Sequence, residues 1–356
     1  MQRSYPFVDW MKAIGLMLIV YGHLAHRSVV WMAPPIYLKQ FGVTFFVFAS
    51  GFTLVRESRP VWLVVYQRLF EVFLWGLVCA LTLSAIGALT GGGLQLSNYL
   101  PFAFGTNVLI NAFPANPTTW YIGTYIHLLL LWALVLRRTT VSLNLLAVVL
   151  GAEILIRAVL LVTAGPYIAY MAISNWITVL LLGMFCGQKH ETRESPNLRF
   201  TIALAACLGV WAVVMHRIAP LPTFPLMSFP LSPDANALVV SLSVSVVYLA
   251  VTWLTYESLN GVADNRFMRL VARNSVIVFV AHMPLYYATG PWVQSVAPSY
   301  WPRVALRLLI CLVGLLVVSE GLHRLVAVRK LRDRIASMFV EPTARVRVSP
   351  GKVREA

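Results

Sequence analysis

The stretch FVDWMKAIGLMLIVYGHLAH, Phe7 to His26, has the length and the apolar middle of a membrane-spanning helix. It also carries Asp9, Lys12 and His23, side chains that cost at least about 2–3 kcal/mol each to place inside a bilayer. At about 100° per residue, the step from Lys12 to His23 amounts to three turns and roughly 20°. Both side chains therefore share one face, about 16 Å apart along the axis. Asp9, one turn before Lys12, lies on the same face. The helix thus bears a polar stripe from its first turn to the middle of the membrane.

The rest of the chain sets this helix among others like it. Hydrophobic residues make up 59% of the 356 residues and charged residues 12%, half the roughly 25% of a soluble domain. The apolar residues come in blocks of about 20, which predicts an all-α polytopic membrane protein. The ~10-residue alternation of an outer-membrane barrel is missing. About ten transmembrane helices are expected, near 8–30, 38–55, 61–89, 119–136, 141–163, 168–187, 199–217, 236–256, 275–293 and 303–323. Every second connection is basic, with Arg56 and Arg59, Arg137 and Arg138, Lys189 and Arg193, Arg266 to Arg273, and Arg324 to Arg334. The positive-inside rule then puts both termini in the cytoplasm. The net charge of +15 reads as this topology signal and not as a nucleic-acid footprint. Residues 1–325 form the expected membrane domain. Residues 326–356 form a basic cytoplasmic tail, an amphipathic helix and then a disordered end, lying on anionic membrane lipids. Asp9 and Lys12 fit a secretory signal peptide poorly. Cys79, Cys186, Cys207 and Cys311 sit in apolar blocks without metal-ligand spacing, so no metal site is expected.

Several later segments add polar groups. FFVFASGFTLV places Ser50 and Gly51 in the second span, where small residues also let helices pack closely. YQRLFEVF carries Arg68 and Glu71 at a spacing that suits a self-paired charge set. Glu153 and Arg157 have the same possibility in span five. Trp120 and Tyr121 open span four, where an aromatic belt is expected. RNSVIVFVAHMPLYY combines Asn274, Ser275 and His282 with a kinking Pro284. The connections 90–118 and 218–235, rich in Gly, Pro and aromatics, are long enough to fold over the outer mouth. No fixed-period repeat or matched pair of broken helices appears, which weakens a transporter reading.

In this order the segments resemble the acyltransferase 3 family of integral membrane acyltransferases. VDWMKAIGLMLIVYGH resembles its first-helix pattern of a basic residue followed by a histidine, here Lys12 and His23. FFVFASGFTL, YQRLFEVF, TWYIGTYI and RNSVIVFVAHMPL are similar to later family segments. YQRLFEVF departs from the more usual paired arginines and Pro. The first helix looks closest to the branch of fucose 4-O-acetylases and exopolysaccharide O-acetyltransferases, and no esterase-type domain is read after the last span.

The resemblance implies a multi-pass protein of the bacterial inner (plasma) membrane. It implies transfer of an acyl group, usually acetyl, from cytoplasmic acetyl-CoA (acyl-CoA) to a hydroxyl of a lipid-linked sugar or polysaccharide acceptor. On this reading Lys12 and Arg68 hold the CoA phosphates, with Arg56, Arg59 and Arg273 as further candidates. Lys12 and Asp9 stand with His23 as the catalytic set, His23 being the general base or a covalent acyl carrier. Ser50, Trp120, Tyr121, Asn274, Ser275 and His282 would line the channel or stabilise an oxyanion. A transporter or flippase using a buried His/Lys path remains the alternative.

Overall fold

The computed structural model describes residues 5–24, 35–91, 96–192, 198–218 and 225–339. Every regular element among them is helical. The helices are α1 (Pro6–Leu24), α2 (Pro35–Leu54), α3 (Val61–Leu89), the short α4 (Tyr99–Ala103), α5 (Trp120–Leu134), α6 (Leu143–Thr163), the short α7 (Pro166–Met171) and α8 (Ile177–Thr192). They continue with α9 (Leu198–Ile218), α10 (Pro233–Leu259), α11 (Arg266–Arg273), α12 (Ser275–Val296), α13 (Tyr300–Leu308), α14 (Leu315–Leu325) and α15 (Val328–Phe339). A π-helical turn, Leu309–Gly314, joins α13 to α14 in one continuous apolar helix.

Helices lie within each expected span, though 168–187 is split between α7 and α8 by a 3-10 turn. Six are long and apolar enough to cross a membrane: α1, α3, α6, α10, α12 and the α13–α14 helix. The apolar parts of α2 and α9 are shorter, and α5 and α8 have 15 and 16 residues. The predicted end of the first span, 25–30, lies outside the described residues, as do Arg3, Arg193 and the tail from 340 onward.

Burial sorts the helices. In α1 and α10 the apolar windows are 56% and 61% buried, whereas in α3 and α6 the figure is 17%. The first two therefore form the centre of the bundle, and the latter turn their leucines and valines outward, as lipid-facing helices do. α1, α2 and α8 pack backbone to backbone. A Cβ at Gly42 would lie 2.3 Å from the Gly15 carbonyl oxygen, and one at Gly51 would lie 2.1 Å from that of Leu180. Small residues at these crossings let the axes approach, which is the packing role expected of Gly51.

The basic connections gather at one end. Trp10 Nε1 donates to Ala263 O (3.2 Å) and Arg56 to Gly187 O (2.9 Å). At the same end Arg137 Nη2 reaches Arg59 O (2.7 Å) and Tyr66 donates to Arg332 O (3.1 Å) on α15, which lies against α3.

Glu153 and Arg157 pair as their spacing predicts, at 2.6 Å and fully buried. Arg157 also donates to Ser241 O (2.8 Å) and Ser245 Oγ (2.7 Å), while Glu153 accepts from Thr178 N (2.9 Å). The pair ties α6 to α8 and α10. Arg68 and Glu71, in contrast, do not pair with each other. Arg68 turns to Thr53 Oγ1 (2.8 Å) and Glu57 (3.8 Å), and Glu71 faces His323 (3.8 Å). Partners on α2, in the α2–α3 connection and on α14 are nearer than the i, i+3 alternative.

Candidate functional site

A cavity of about 210 Å³ opens between α1, α2, α3, α5 and α12. On α2, positions Val43, Phe46, Ser50 and Thr53 line it, a spacing that puts them on one helical face spanning roughly 15 Å. One end is polar and charged, with Lys12, Thr53, Gln67, Arg68 and Glu71. Towards the other end the walls become aromatic and apolar, through Val43, Phe46, Tyr121, Tyr125 and Phe279. Lys12 forms no hydrogen bond or ion pair among the described residues, and its ammonium sits in the field of Arg68, Asp9 and Glu71.

His23 and His282, on helices read as separate pieces of sequence, meet beyond the apolar end. His282 Nε2 lies 3.1 Å from His23 Nδ1, with the ring centroids 5.0 Å apart. Backbone carbonyls determine which nitrogens carry hydrogen. His282 Nδ1 lies 2.7 Å from Phe279 O, an acceptor, so Nδ1 holds the proton and Nε2 offers a lone pair. His23 Nδ1 lies 2.8 Å from Ile19 O, so it too is protonated, shared between that carbonyl and His282 Nε2. The remaining lone pair of neutral His23 is on Nε2, which has no hydrogen-bond partner among the described residues. Ile19 and Phe279, whose carbonyls hold the two rings, both line the cavity. The dyad is thus attached to the cavity wall on both sides.

Just past His282, α12 continues through Pro284 with one helical hydrogen bond missing. Pro284 supplies no N–H to Val280 O, four residues earlier. That oxygen accepts instead from Asn116 Nδ2 (2.8 Å) and Thr118 Oγ1 (3.3 Å). Both donors belong to the end of the 90–118 connection, where the Asn116 side chain also accepts from Thr118 N (3.1 Å). The long connection thereby clasps the helix beside the histidine.

The other predicted site residues divide by location. Ser50, Tyr121, Ser275, Lys12 and Arg68 line the cavity. Asp9 lies at the start of α1, in the field of Lys12, Arg269 and Asp264, about 21 Å of helical rise from His23. Arg56 is held on Gly187 O and against the rings of Tyr5 and Phe52 (4.5 and 4.6 Å). Arg59 pairs with Glu57 and donates to Gln67 Oε1 beside the cavity. Arg59 holds the Glu57 carboxyl below the usual carboxylate range, chiefly through its hydrogen bond. Arg273 pairs with Glu320 at the bundle end. Asn274 sits at the α11–α12 junction, bonded to Ser319 (2.6 Å) and Glu320 (3.2 Å). Trp120 joins a stack with Trp176 (6.1 Å) and Tyr170 (4.9 Å). Sequence reasoning passes over Thr53, Gln67, Tyr125 and Phe279. Thr53 and Gln67 could have been found one turn from Ser50 and one residue from Arg68.

Among the described residues, no group of three His, Cys, Asp or Glu side chains is placed to hold a metal ion. A family model described as an acyltransferase domain, that of the acyltransferase 3 family, matches residues 5–319. No curated protein and no solved structure matched the chain.

Proposed function

From the chain's membership of the acyltransferase 3 family, which makes it a multi-pass membrane acyltransferase, we propose that it moves an acetyl group from acetyl-CoA to a hydroxyl of a lipid-linked sugar or exported polysaccharide at the bacterial inner membrane. The observation that carries this reading is the histidine dyad just beyond one end of a cavity, on the carbonyls of Ile19 and Phe279 that line it, with Lys12 and Arg68 at the other end. Ten spans with both termini in the cytoplasm would put that charged end on the side where CoA is made.

The donor's phosphates bind Lys12 and Arg68, and the pantetheine arm extends along the Ser50 face of α2 towards the dyad. Of the other arginines, Arg59 lies nearest this entrance, through Gln67. The acceptor hydroxyl oxygen attacks the thioester carbonyl while its proton passes to His23 Nε2. The resulting imidazolium keeps its Nδ1–H on Ile19 O and His282 Nε2, so His282 orients and stabilises the base. The tetrahedral oxyanion collapses, the C–S bond breaks, and the CoA thiolate recovers the proton from His23. Tyr121 and Ser275 supply hydroxyl donors along the cavity wall.

Membranes containing the protein, given labelled acetyl-CoA and their own glycolipids, test this directly. The expected result is base-labile label in a carbohydrate fraction and stoichiometric release of free CoA. Absence of thioester consumption, with substrate uptake by proteoliposomes lacking acetyl-CoA, would establish a transporter instead.

A further inference from the structure

Arg307, on α13, is 5% exposed within the last apolar helix. It forms no hydrogen bond or ion pair among the described residues, and its Nε is buried without a partner. The ring of Tyr286 on α12 lies against it, 4.6 Å from the guanidinium carbon to the ring centroid. An unpaired guanidinium buried at membrane depth is costly, and a π-face offsets only part of that cost. The charge calls for an anion.

Its place in the bundle says which one. Along α12 the order is Ser275, Val276 and Phe279 on the donor cavity, His282 in the dyad, and Tyr286 under Arg307. Tyr286 is one turn beyond His282 on the same face, about 6 Å further along the axis. Arg307 therefore lies past the dyad on the side away from Lys12. Lys39 of α2 adds positive charge within electrostatic reach of both imidazoles. On α1, beside Tyr300 of α13, the Tyr21 hydroxyl is buried without a hydrogen-bond partner among the described residues. Val304 and Arg307 of α13 and Cys311 of the following π turn are buried, while Leu309 and Val313 of that turn are exposed at membrane depth. Tyr286 is only partly buried and Tyr287 beside it is 66% exposed, so a ligand passing these tyrosines reaches Arg307 from the lipid phase.

We propose that Arg307, with Tyr286 beneath it, binds the phosphate of a lipid-linked acceptor and so holds the sugar hydroxyl against His23 from the side opposite the acyl donor. A phosphate presents the oxygens that a guanidinium fork pairs with. The proposal rests on the acyltransferase reading and names the acceptor's chemical class.

The test uses the full-length protein purified in a neutral detergent, with thermal unfolding as the readout of binding. The probes are farnesyl diphosphate, farnesol, phosphatidylglycerol and CoA. Farnesyl diphosphate is expected to stabilise the wild type and farnesol to leave it unchanged. Arg307→Gln should bind farnesyl diphosphate at least tenfold more weakly while its affinity for CoA is retained. If Arg307→Gln does not fold, Arg307→Lys is read in its place, with a several-fold loss expected and wild-type affinity contradicting forked recognition. Tyr286→Leu should give a smaller loss than Arg307→Gln. Wild-type affinity in Arg307→Gln would overturn the proposal, and so would phosphatidylglycerol competing as well as farnesyl diphosphate, since the anion would then be an ordinary headgroup. Acetyl-CoA consumption by the wild-type protein in membranes that carry its own glycolipids tests the transferase reading separately. A wild type that binds farnesyl diphosphate through Arg307 but consumes no thioester would refute the transferase and not the anion site.

Discussion

Arg157 and Arg307 are both buried in apolar helices, and the fold provides for them in opposite ways. Arg157 is 0% exposed and meets a carboxylate, a hydroxyl and a backbone carbonyl from two helices. Arg307 meets one aromatic ring. The first arrangement holds a counter-charge: Arg157 Nη1 and Nη2 meet a carbonyl, a hydroxyl and the Glu153 carboxylate, although its Nε has no hydrogen-bond partner among the described residues. The second leaves its charge for something that arrives later. The same contrast separates the paired arginines at the bundle end from Lys12, which faces a cavity with no ion pair among the described residues. A carboxylate in direct contact and full burial mark Arg157 as structural, whereas Lys12 and Arg307 have no counter-charge in contact among the described residues.

The contrast can be broken most sharply at Arg157. Arg157→Ala leaves Glu153 buried without its partner, which costs about 3–5 kcal/mol, so little folded protein should accumulate. Normal accumulation and an unchanged unfolding midpoint would show that the buried network is not structural. The clasp on α12 should matter less. Asn116→Ala removes the closest donor to Val280 O and is expected to cost about 1–3 kcal/mol. Pro284→Ala restores an N–H to that oxygen, so the same Asn116→Ala change should cost less in its background. Equal costs in both backgrounds, read from unfolding midpoints, would remove the clasp from the explanation. Lys12→Met is the mildest. It should leave the fold intact and raise the KM for acetyl-CoA roughly tenfold, about 1.4 kcal/mol, with a smaller change in kcat. A fall in kcat at unchanged KM would place Lys12 in the chemistry and not in donor binding.

Much of this was legible in the sequence. The stripe of Lys12 and His23 follows from helical geometry alone, and the apolar blocks and alternating basic connections give the helices in order. The Glu153–Arg157 pair was also readable, because both ends lie on one helix and no competing partner sits closer. Arg68 and Glu71 have comparable local spacing, yet each found a better partner on another element, and no single-helix argument ranks such competitors. His282 could be singled out beside Pro284. That its Nε2 meets His23, 259 positions away in the chain, depends on how α12 packs on α1. The destination of Asn116 is equally tertiary, although a proline in a span announces an orphaned carbonyl four residues earlier. Arg307 left a signal as well, an arginine well inside the last apolar block. Only the packed helix shows that it has no hydrogen-bond or ion-pair partner among the described residues.

Transfer of labelled acetyl from acetyl-CoA by purified His23→Ala protein tests the central claim most directly, provided its unfolding midpoint and CoA affinity match the wild type. The dyad account predicts a loss of roughly 100-fold or more, as expected for removal of a general base. Transfer at the wild-type rate by that folded, CoA-binding variant would contradict it.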